Sequence, residues 1–522
     1  MCARLPDGPP LVWFGLCAEP ARVPALAPTD NCAPQPAAAW QPAWTDGQYR
    51  ADVAQVREHI AGGDVYQCNL TVRLRAPVPR DLQQLYAGLV LNQRTRYGAY
   101  LDLGRHVIAS ASPELFFRWV GNELLTRPMK GTAARGRTPA EDEQQRRELL
   151  ASDKERAENV IVVDLLRNDV SRVATVGSVR VPALCVPERY ETVWQLTSDV
   201  LGTLAEDSSL VEVFRALFPS GSVTGAPKQR AMQIIRDVEG GPRGVYCGAI
   251  GLLAPPGAPL RAQFSVAIRT VGADRVAGTA VYGTGGGITW SSDAAAELAE
   301  LHAKAAILHA PHREFQLFET MAHLPGTGVR NLDRHLDRLA NSARYFGFAF
   351  DEERASAQLA ASTEHAGPAR VRLILARCGT LHIKLDPLPP PPARPIRLAL
   401  DPAPVDSSSR WLYHKTSHRD AYTSRAHRHP YADDVVLINE RGELTETTIA
   451  NLAVQLDGTW WTPPQTAGCL PGIERGRLLD VGLLHERTLT PQDLQRANAL
   501  AVLNSLRQWR PAVLITSCAT GR

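Results

Sequence analysis

The sequence predicts an α+β protein of two domains, the second in two parts. Three observations carry that reading. At roughly 150 residues per domain, 522 residues allow about three or four structural units. Short alternating apolar runs recur beside a few long helical patterns, with no internal repeat of fixed period. Two proline-bearing stretches, at 309–313 and 387–395, interrupt the pattern.

In chain order, residues 1–45 are a short N-terminal segment rich in Pro and Ala, with one strand-like run from Leu11 to Leu16. Helical spacing over 47–60 is followed by Gly62-Gly63 and an alternating strand through Val65, Tyr66, Leu70, Val72 and Leu74. Strands are expected at 99–103, 106–110 and 115–119, and one long charged helix from about 139 to 166. An Ala/Leu helix over 293–308 has Ser291, Ser292 and Asp293 as capping candidates. These elements set a first domain at 46–308 and a linker at 309–314. The second domain, 315–522, opens with a small part (315–386) holding a helix over 332–345. A stiff connector, 387–395, leads to a larger part, 396–522.

Hydrophobic content of 44% and charged content of 21% are ordinary for a globular protein. A net charge of +3, with both signs interspersed, lacks the basic stripe of a nucleic-acid binder. No run reaches the ~18 apolar residues of a membrane span, and Met1–Pro10 does not read as a secretory signal. Nine dispersed cysteines without a Cys-x-x-Cys pair point to reduced thiols in a cytoplasmic protein. Only six lysines occur (Lys130, Lys154, Lys228, Lys304, Lys384 and Lys415), so arginine supplies 51 of the 57 basic residues. Because arginine does not lose its proton, these six are the candidates for amine chemistry.

Glu155 and Glu158 stand three apart on one expected helix, and Glu297 and Glu300 on another. Oxygen-only faces suit a hard cation such as Mg²⁺, although acidic pairs at this spacing are usually solvated helix surface. Gly283–Gly287 and Gly221–Lys228 could bring backbone N–H groups to an anion. Neither is a P-loop, and by spacing alone turn glycines are the preferred explanation of both. In the second half Lys415, Glu446 and a glycine opening a helix at Gly472 could hold a phosphorylated aldehyde. His414, His418, His427 and His429 lack fixed ligand spacing and read as polar residues around a helix.

The motifs change the weighing when taken in order. Ser112-Pro113-Glu114, Pro128-Met129-Lys130-Gly131-Thr132, Arg156-Ala157-Glu158-Asn159 and Asp164-Leu-Leu-Arg-Asn-Asp169 precede Gly221-Ser-Val-Thr-Gly-Ala-Pro-Lys228. Tyr246-Cys-Gly248, Ala267-Ile-Arg269-Thr270, Gly283–Gly287 and Glu297-x-x-Glu300 follow. Residues 46–308 thereby resemble the chorismate-utilising enzymes, a fold of large antiparallel sheets flanked by helices. Within that family anthranilate synthases resemble Pro-Ile-Ala-Gly-Thr where this chain has Lys130, and aminodeoxychorismate synthases carry lysine there. The resemblance implies that Lys130 adds to C2 of chorismate as the C4 hydroxyl leaves, with Glu114 as general acid, and that ammonia then expels the lysine. It implies Mg²⁺ on Glu158 and Glu300 with Glu155 and Glu297 beside them. Chorismate contacts would fall to Thr132, Thr224, Tyr246, Arg269, Gly285 and Gly287. Two departures stand out. Gln195 occupies a segment where many relatives carry His, so no acid–base role is expected there. The region before residue 46 is shorter than the family's, which argues against tryptophan feedback.

Residues 315–520, through His335-Leu-Asp-Arg338-Leu339, His414-Lys415-Thr416, Leu444–Leu452 and Leu470–Arg475, resemble fold-type IV pyridoxal-phosphate (PLP) enzymes. This implies Lys415 as the Schiff-base lysine, Glu446 at the pyridine nitrogen, and Arg338 with the backbone at Ile473 and Glu474 on the phosphate. Thr320 falls near the substrate, and Asn504 and Ser505 at a further phosphate or substrate contact. The group includes aminodeoxychorismate lyase and branched-chain and D-amino-acid aminotransferases. Fusion favours the lyase: the two halves would make 4-amino-4-deoxychorismate and split it to 4-aminobenzoate and pyruvate, a transferase and a lyase of folate biosynthesis. No Gly-x-Cys-x-Gly elbow is present, so ammonia is expected free or from a separate glutamine amidotransferase. A homodimer through the PLP domain stays open. The rival is anthranilate or isochorismate synthase chemistry joined to an aminotransferase; an inactive scaffold is the remaining alternative.

Overall fold

The computed structural model describes residues 8–19, 21, 40–308, 314–390 and 393–515. Most of the short N-terminal segment and nearly all of the 309–314 linker lie outside them. By internal packing the chain forms two units, Met1–Arg135 with Gln145–His312, and Gly136–Gln144 with Arg313–Arg522.

The first unit holds two seven-stranded, wholly antiparallel sheets. One runs in the order Gln41–Pro42, Gln67–Pro77, Thr279–Ile288, Thr270–Asp274, His106–Ser112 and Tyr97–Leu103, with Gly225–Ala226 also pairing with Gln67–Pro77. The other runs Ala249–Leu253, Leu260–Val266, Leu115–Val120, Glu123–Arg127, Val193–Thr203 and Met129–Ala134, with Arg180–Arg189 on Val193–Thr203. Alternation puts the even positions of Gln67–Pro77 on one face: at one end Leu74 and Ala76 join a cluster with Val107, Val271 and Tyr282, and at the other Cys68 and Leu70 pack with Tyr49, Val53 and Leu298. Phe117, Phe214 and Phe264 fill the second sheet's core edge-to-face or tilted at 5.0–5.5 Å, a spacing worth about 0.5–1.5 kcal/mol per pair beyond burial.

Two expectations are corrected, and one stretch packs with the other unit. The run Leu11–Leu16 forms no strand: among the described residues nothing pairs with it, and Leu11, Val12, Trp13, Phe14 and Leu16 are exposed. The charged helix is two, Pro139–Ala151 and Asp153–Ser171, because Ser152 leaves the helical conformation and caps the second by accepting the Glu155 N–H at 3.3 Å. Residues 136–144, which lie in the expected first domain, pack with the second unit. There Tyr345 donates its hydroxyl to Gly136 O at 2.6 Å, and Arg137 Nη1 reaches Tyr413 Oη and Ser407 O, both at 3.2 Å.

The second unit has two sheets, matching the expected small and large parts. Four antiparallel strands, Gly328–Val329, Leu317–Leu324, Ala369–Leu375 and Leu381–Pro387, pack on helix Leu332–Phe346. The eight-stranded sheet is mixed, with Ile396–Leu400 parallel to both Asp434–Ile438 and Gln508–Leu514.

Candidate active sites

In the first unit Lys130 sits at a register shift, between the pairs Met129↔Thr197 and Thr132↔Gln195. Such an irregularity re-aims side chains, and Gly131 there has φ +95° with Leu196 and Glu155 O close by. The Lys130 carbonyl is fixed by Asn159 Nδ2 at 2.9 Å. Its ammonium lies against Gly287: a side chain there would overlap Lys130 Nζ and Gln67 Nε2. The Gly283–Gly287 run is therefore not a loop of turn glycines. It lies within strand Thr279–Ile288, and Gly283 gives way likewise to the Tyr246 ring.

Glu114 is 4% exposed, and burial lifts its carboxyl from 4.5 to about 7, against the pull of Ser222 and Lys130. A carboxyl near neutrality can deliver a proton. Three of the four glutamates, Glu158, Glu297 and Glu300, interact with the same lysine. Burial raises Glu158, with Lys130 opposing and Glu155 and Glu297 reinforcing. Burial also raises Glu297, which accepts from Ser292 Oγ at 2.7 Å. Glu155 Oε2 accepts the Thr132 N–H at 2.9 Å. Burial acts to raise Glu300, but Lys304 at 2.7 Å holds it below its ordinary value. Among the described residues no three such side chains converge closely enough to cage a metal. Mg²⁺ needs no cage, since it is usually held by one or two carboxylates plus water and substrate, and an oxygen-only set of mutually repelling glutamates fits that chemistry.

The remaining expected contacts divide. Arg269, at φ +52°, donates from Nη1 to Gln93 Oε1 at 2.7 Å and lines a cleft with Gln93, Pro113, Met129, Tyr190 and Gln195. Thr132 Oγ1 bonds Gln195 Oε1 at 3.2 Å. Thr224 is buried, and its hydroxyl donates to Ser220 O at 3.0 Å. Gly285 O accepts from Lys304 Nζ at 2.9 Å.

Two residues were missed from the sequence. Lys304 was legible as one of six lysines, four residues after Glu300 on one helix. Gln67 carried no signal. It is 1% exposed beside Lys130, and its amide oxygen is buried without a hydrogen-bond partner, which costs about 1–3 kcal/mol until a donor arrives.

In the second unit the Lys415 segment is stitched to strand Leu317–Leu324, Phe318 N donating to Lys415 O at 3.2 Å. Its ammonium lies 5.0 Å from the Phe318 ring centroid, on the strand face that Thr320 shares by alternation. Burial, with Arg338 nearby, brings the amine down to about 8. Glu446 accepts from Tyr422 Oη at 2.8 Å and Asn451 Nδ2 at 3.1 Å, and burial raises it to about 7. Arg338 spends three N–H groups inside the protein, two on Glu319 and one on Pro471 O at 3.0 Å. Two of a guanidinium's five donors remain for an anion. Helix Ile473–Asp480 starts at Gly472 with no side-chain cap, so the first-turn N–H groups, Ile473 and Glu474 included, face outward, and a side chain at Gly472 would overlap Asn451 Oδ1. A lowered lysine, an anion-binding helix start and a carboxyl for a ring nitrogen suit PLP.

Asn504 Oδ1 accepts Arg507 N at 2.9 Å, and Ser505 Oγ meets His335 Nε2 at 2.7 Å. The histidines disperse: His414 bonds Ser342 at 2.9 Å, His418 stacks on Trp411 at 4.3 Å and His429 bonds Asp401 at 3.0 Å. No described helix is long and apolar enough to cross a membrane.

The model of the chorismate binding enzyme family matches residues 16–310, and that of amino-transferase class IV matches residues 316–515. Anthranilate synthase component 1 of Streptomyces coelicolor is 44% identical over 278 residues, 52% of this chain and 53% of that protein. Aminodeoxychorismate synthase component 1 of Escherichia coli is 41% identical, over 50% of this chain and 56% of that one. The chain thus spans about half the length of these curated relatives. A solved Mesorhizobium loti structure, provisionally described as an amino-acid aminotransferase, is 40% identical and covers 39% of this chain and 100% of that one, with a TM-score of 0.38. The chain belongs to the chorismate binding enzyme family, with an amino-transferase class IV, fold-type IV region joined to it.

Proposed function

We propose that the chain makes 4-aminobenzoate from chorismate in two steps, one per unit. The observation that carries this is Lys130, an amine seated against Gly287 beside Glu114 and the glutamate faces. Lys130 adds to C2 of chorismate while Glu114 protonates the departing C4 hydroxyl; ammonia then adds at C4 and the lysine leaves. The unpartnered Gln67 oxygen can accept an N–H of incoming ammonia. Glu158 and Glu300 would hold Mg²⁺ against the ring carboxylate, with Glu155 and Glu297 adding charge. Ammonia comes free or from a separate amidotransferase.

In the second unit Lys415 would bind PLP, which supplies an electron sink when present. Lys415, held near neutrality, takes the C4 proton of 4-amino-4-deoxychorismate. Glu446 holds the proton on the ring nitrogen. Loss of the enolpyruvyl group as pyruvate then leaves an aromatic product.

The names of the matched proteins favour a second reading, anthranilate- or isochorismate-forming chemistry joined to an aminotransferase: anthranilate synthase component 1 stands at 44% identity and the aminotransferase at 40%. Product identification separates the two. Wild-type protein given chorismate, Mg²⁺ and ammonium should yield 4-aminobenzoate and pyruvate, and Lys130→Ala and Lys130→Arg should yield neither. Anthranilate as the product, or undiminished amination by Lys130→Ala, refutes the reading.

A further inference from the structure

The second unit contains a buried chain of three side chains that the proposed reaction does not use. Ser505 Oγ lies 2.7 Å from His335 Nε2, and His335 Nδ1 lies 2.7 Å from Glu319 Oε2. Ser505 is 6% exposed and the other two 1% each. Arg338 closes the far end with two hydrogen bonds to the same carboxylate, and a third to Pro471 O, one residue before Gly472. Helix Leu332–Phe346, the turn after strand Ala499–Asn504 and the start of helix Ile473–Asp480 are thus tied into one network.

Charge fixes the direction of its hydrogen bonds. Burial acts to raise Glu319, but Arg338 and His335 together hold it at about 2. It is a carboxylate at neutral pH and can only accept, so His335 Nδ1 carries the ring proton. Burial first, then Arg338 and Lys415, oppose a second proton on the imidazole, against the pull of Glu319. Nε2 is therefore bare, and the Ser505 hydroxyl donates to it. Anything reaching Ser505 Oγ from outside meets only lone pairs. A phosphate dianion gains a donor there only if the Ser505 proton turns outward, which leaves Nε2 buried without a partner unless it takes up a proton of its own.

We propose that His335 is a positioning residue of a phosphate-ester site at Ser505, taking up a solvent proton as the dianion binds so that Ser505 turns from donating to the histidine to donating to the phosphate. The inference rests on the reading of this unit as a PLP site and adds its proton bookkeeping. No covalent bond to carbon or phosphorus changes; one solvent proton becomes Nε2–H. The charged groups facing His335 are Glu319 on strand Leu317–Leu324, Arg338 on its own helix and Lys415 on the segment paired with that strand. Lys415, at about 8, also loses charge as pH rises and weakens anion binding. The decisive comparison therefore keeps Lys415 and changes only the relay.

The probe is pyridoxine 5′-phosphate, whose alcohol cannot react with Lys415. Full-length protein is titrated calorimetrically at about pH 8 and 9, where the free ester is a dianion, in buffers of different ionisation enthalpy. Wild type should take up about one proton more per site than His335→Gln, and its affinity should fall up to about tenfold more per pH unit. The Gln amide N–H holds Ser505 outward without titrating. Ser505→Ala should lose the same extra proton, and it decides the matter if His335→Gln fails to fold. Equal uptake in wild type and the variants, with the visible band of bound PLP present in each, overturns the relay alone. No visible band in wild type overturns the cofactor reading and the relay together.

Discussion

Replacing Glu114 by Gln should stabilise the protein at alkaline pH while abolishing chorismate turnover. Burial raises this carboxyl from 4.5 to about 7, and at about 1.4 kcal/mol per tenfold change that is of order 3 kcal/mol. The folded state holds the proton more tightly than the unfolded state. The associated stability is fully present below about pH 4.5, declines as pH rises, and is lost above about pH 7. Glutamine is nearly isosteric with the neutral acid, can still accept from Ser222, and never pays to ionise. Urea unfolding followed by tryptophan fluorescence should therefore give coincident midpoints for wild type and Glu114→Gln near pH 4.5. By pH 8.5 the variant should be ahead by about 2–3 kcal/mol in the transition that moves, since a two-unit chain need not unfold in one step. The wild-type chorismate rate should fall above about pH 7, where the acid form disappears. A midpoint difference that does not change with pH, or a variant retaining wild-type turnover, would refute the reasoning.

Lys415→Ala should lose the visible band of protein-bound PLP yet still consume chorismate and accumulate 4-amino-4-deoxychorismate; 4-aminobenzoate release at the wild-type rate would disprove the assignment. Chorismate turnover should stop in excess chelator, and Glu158→Gln should raise the Mg²⁺ needed for half-activity by about tenfold or more, since an anionic ligand is lost from a hard-cation site. Undiminished activity with chelator present removes magnesium from the account. Lys304→Met frees Glu300 from a half-exposed ion pair, worth at most about 1 kcal/mol. Mg²⁺ measured by direct titration without chorismate should then bind up to about fivefold tighter, and unchanged or weaker binding would show that lysine and metal do not compete.

What the sequence disclosed, and what it hid, follows from how each residue is positioned. Order along the chain singled out Glu114, Lys130, Lys415 and Glu446 as candidates, because each lies in a contiguous motif whose neighbours declare the element carrying it. The two-part second half was legible because proline marks the connector between its sheets. Helix Pro139–Ala151 and helix Asp153–Ser171 read as one because their charged surface is continuous, and only the conformation of Ser152 separates them. The glycines at 283–287 looked like a turn because spacing cannot tell φ freedom from close approach. The strand shows that the missing Cβ matters for what lies opposite, Tyr246 and Lys130, from 37 and 157 residues earlier in the chain. Arg338 illustrates the harder limit. Its motif announces an anion partner but cannot announce that Glu319 already claims two of its donors. That prior claim keeps Glu319 ionised, fixes the proton on His335 Nδ1 and so decides which way the Ser505 hydroxyl points. A pairing absent from any local motif thus sets the proton state of the pocket, which is why the cofactor site must be tested through proton uptake as well as through its lysine.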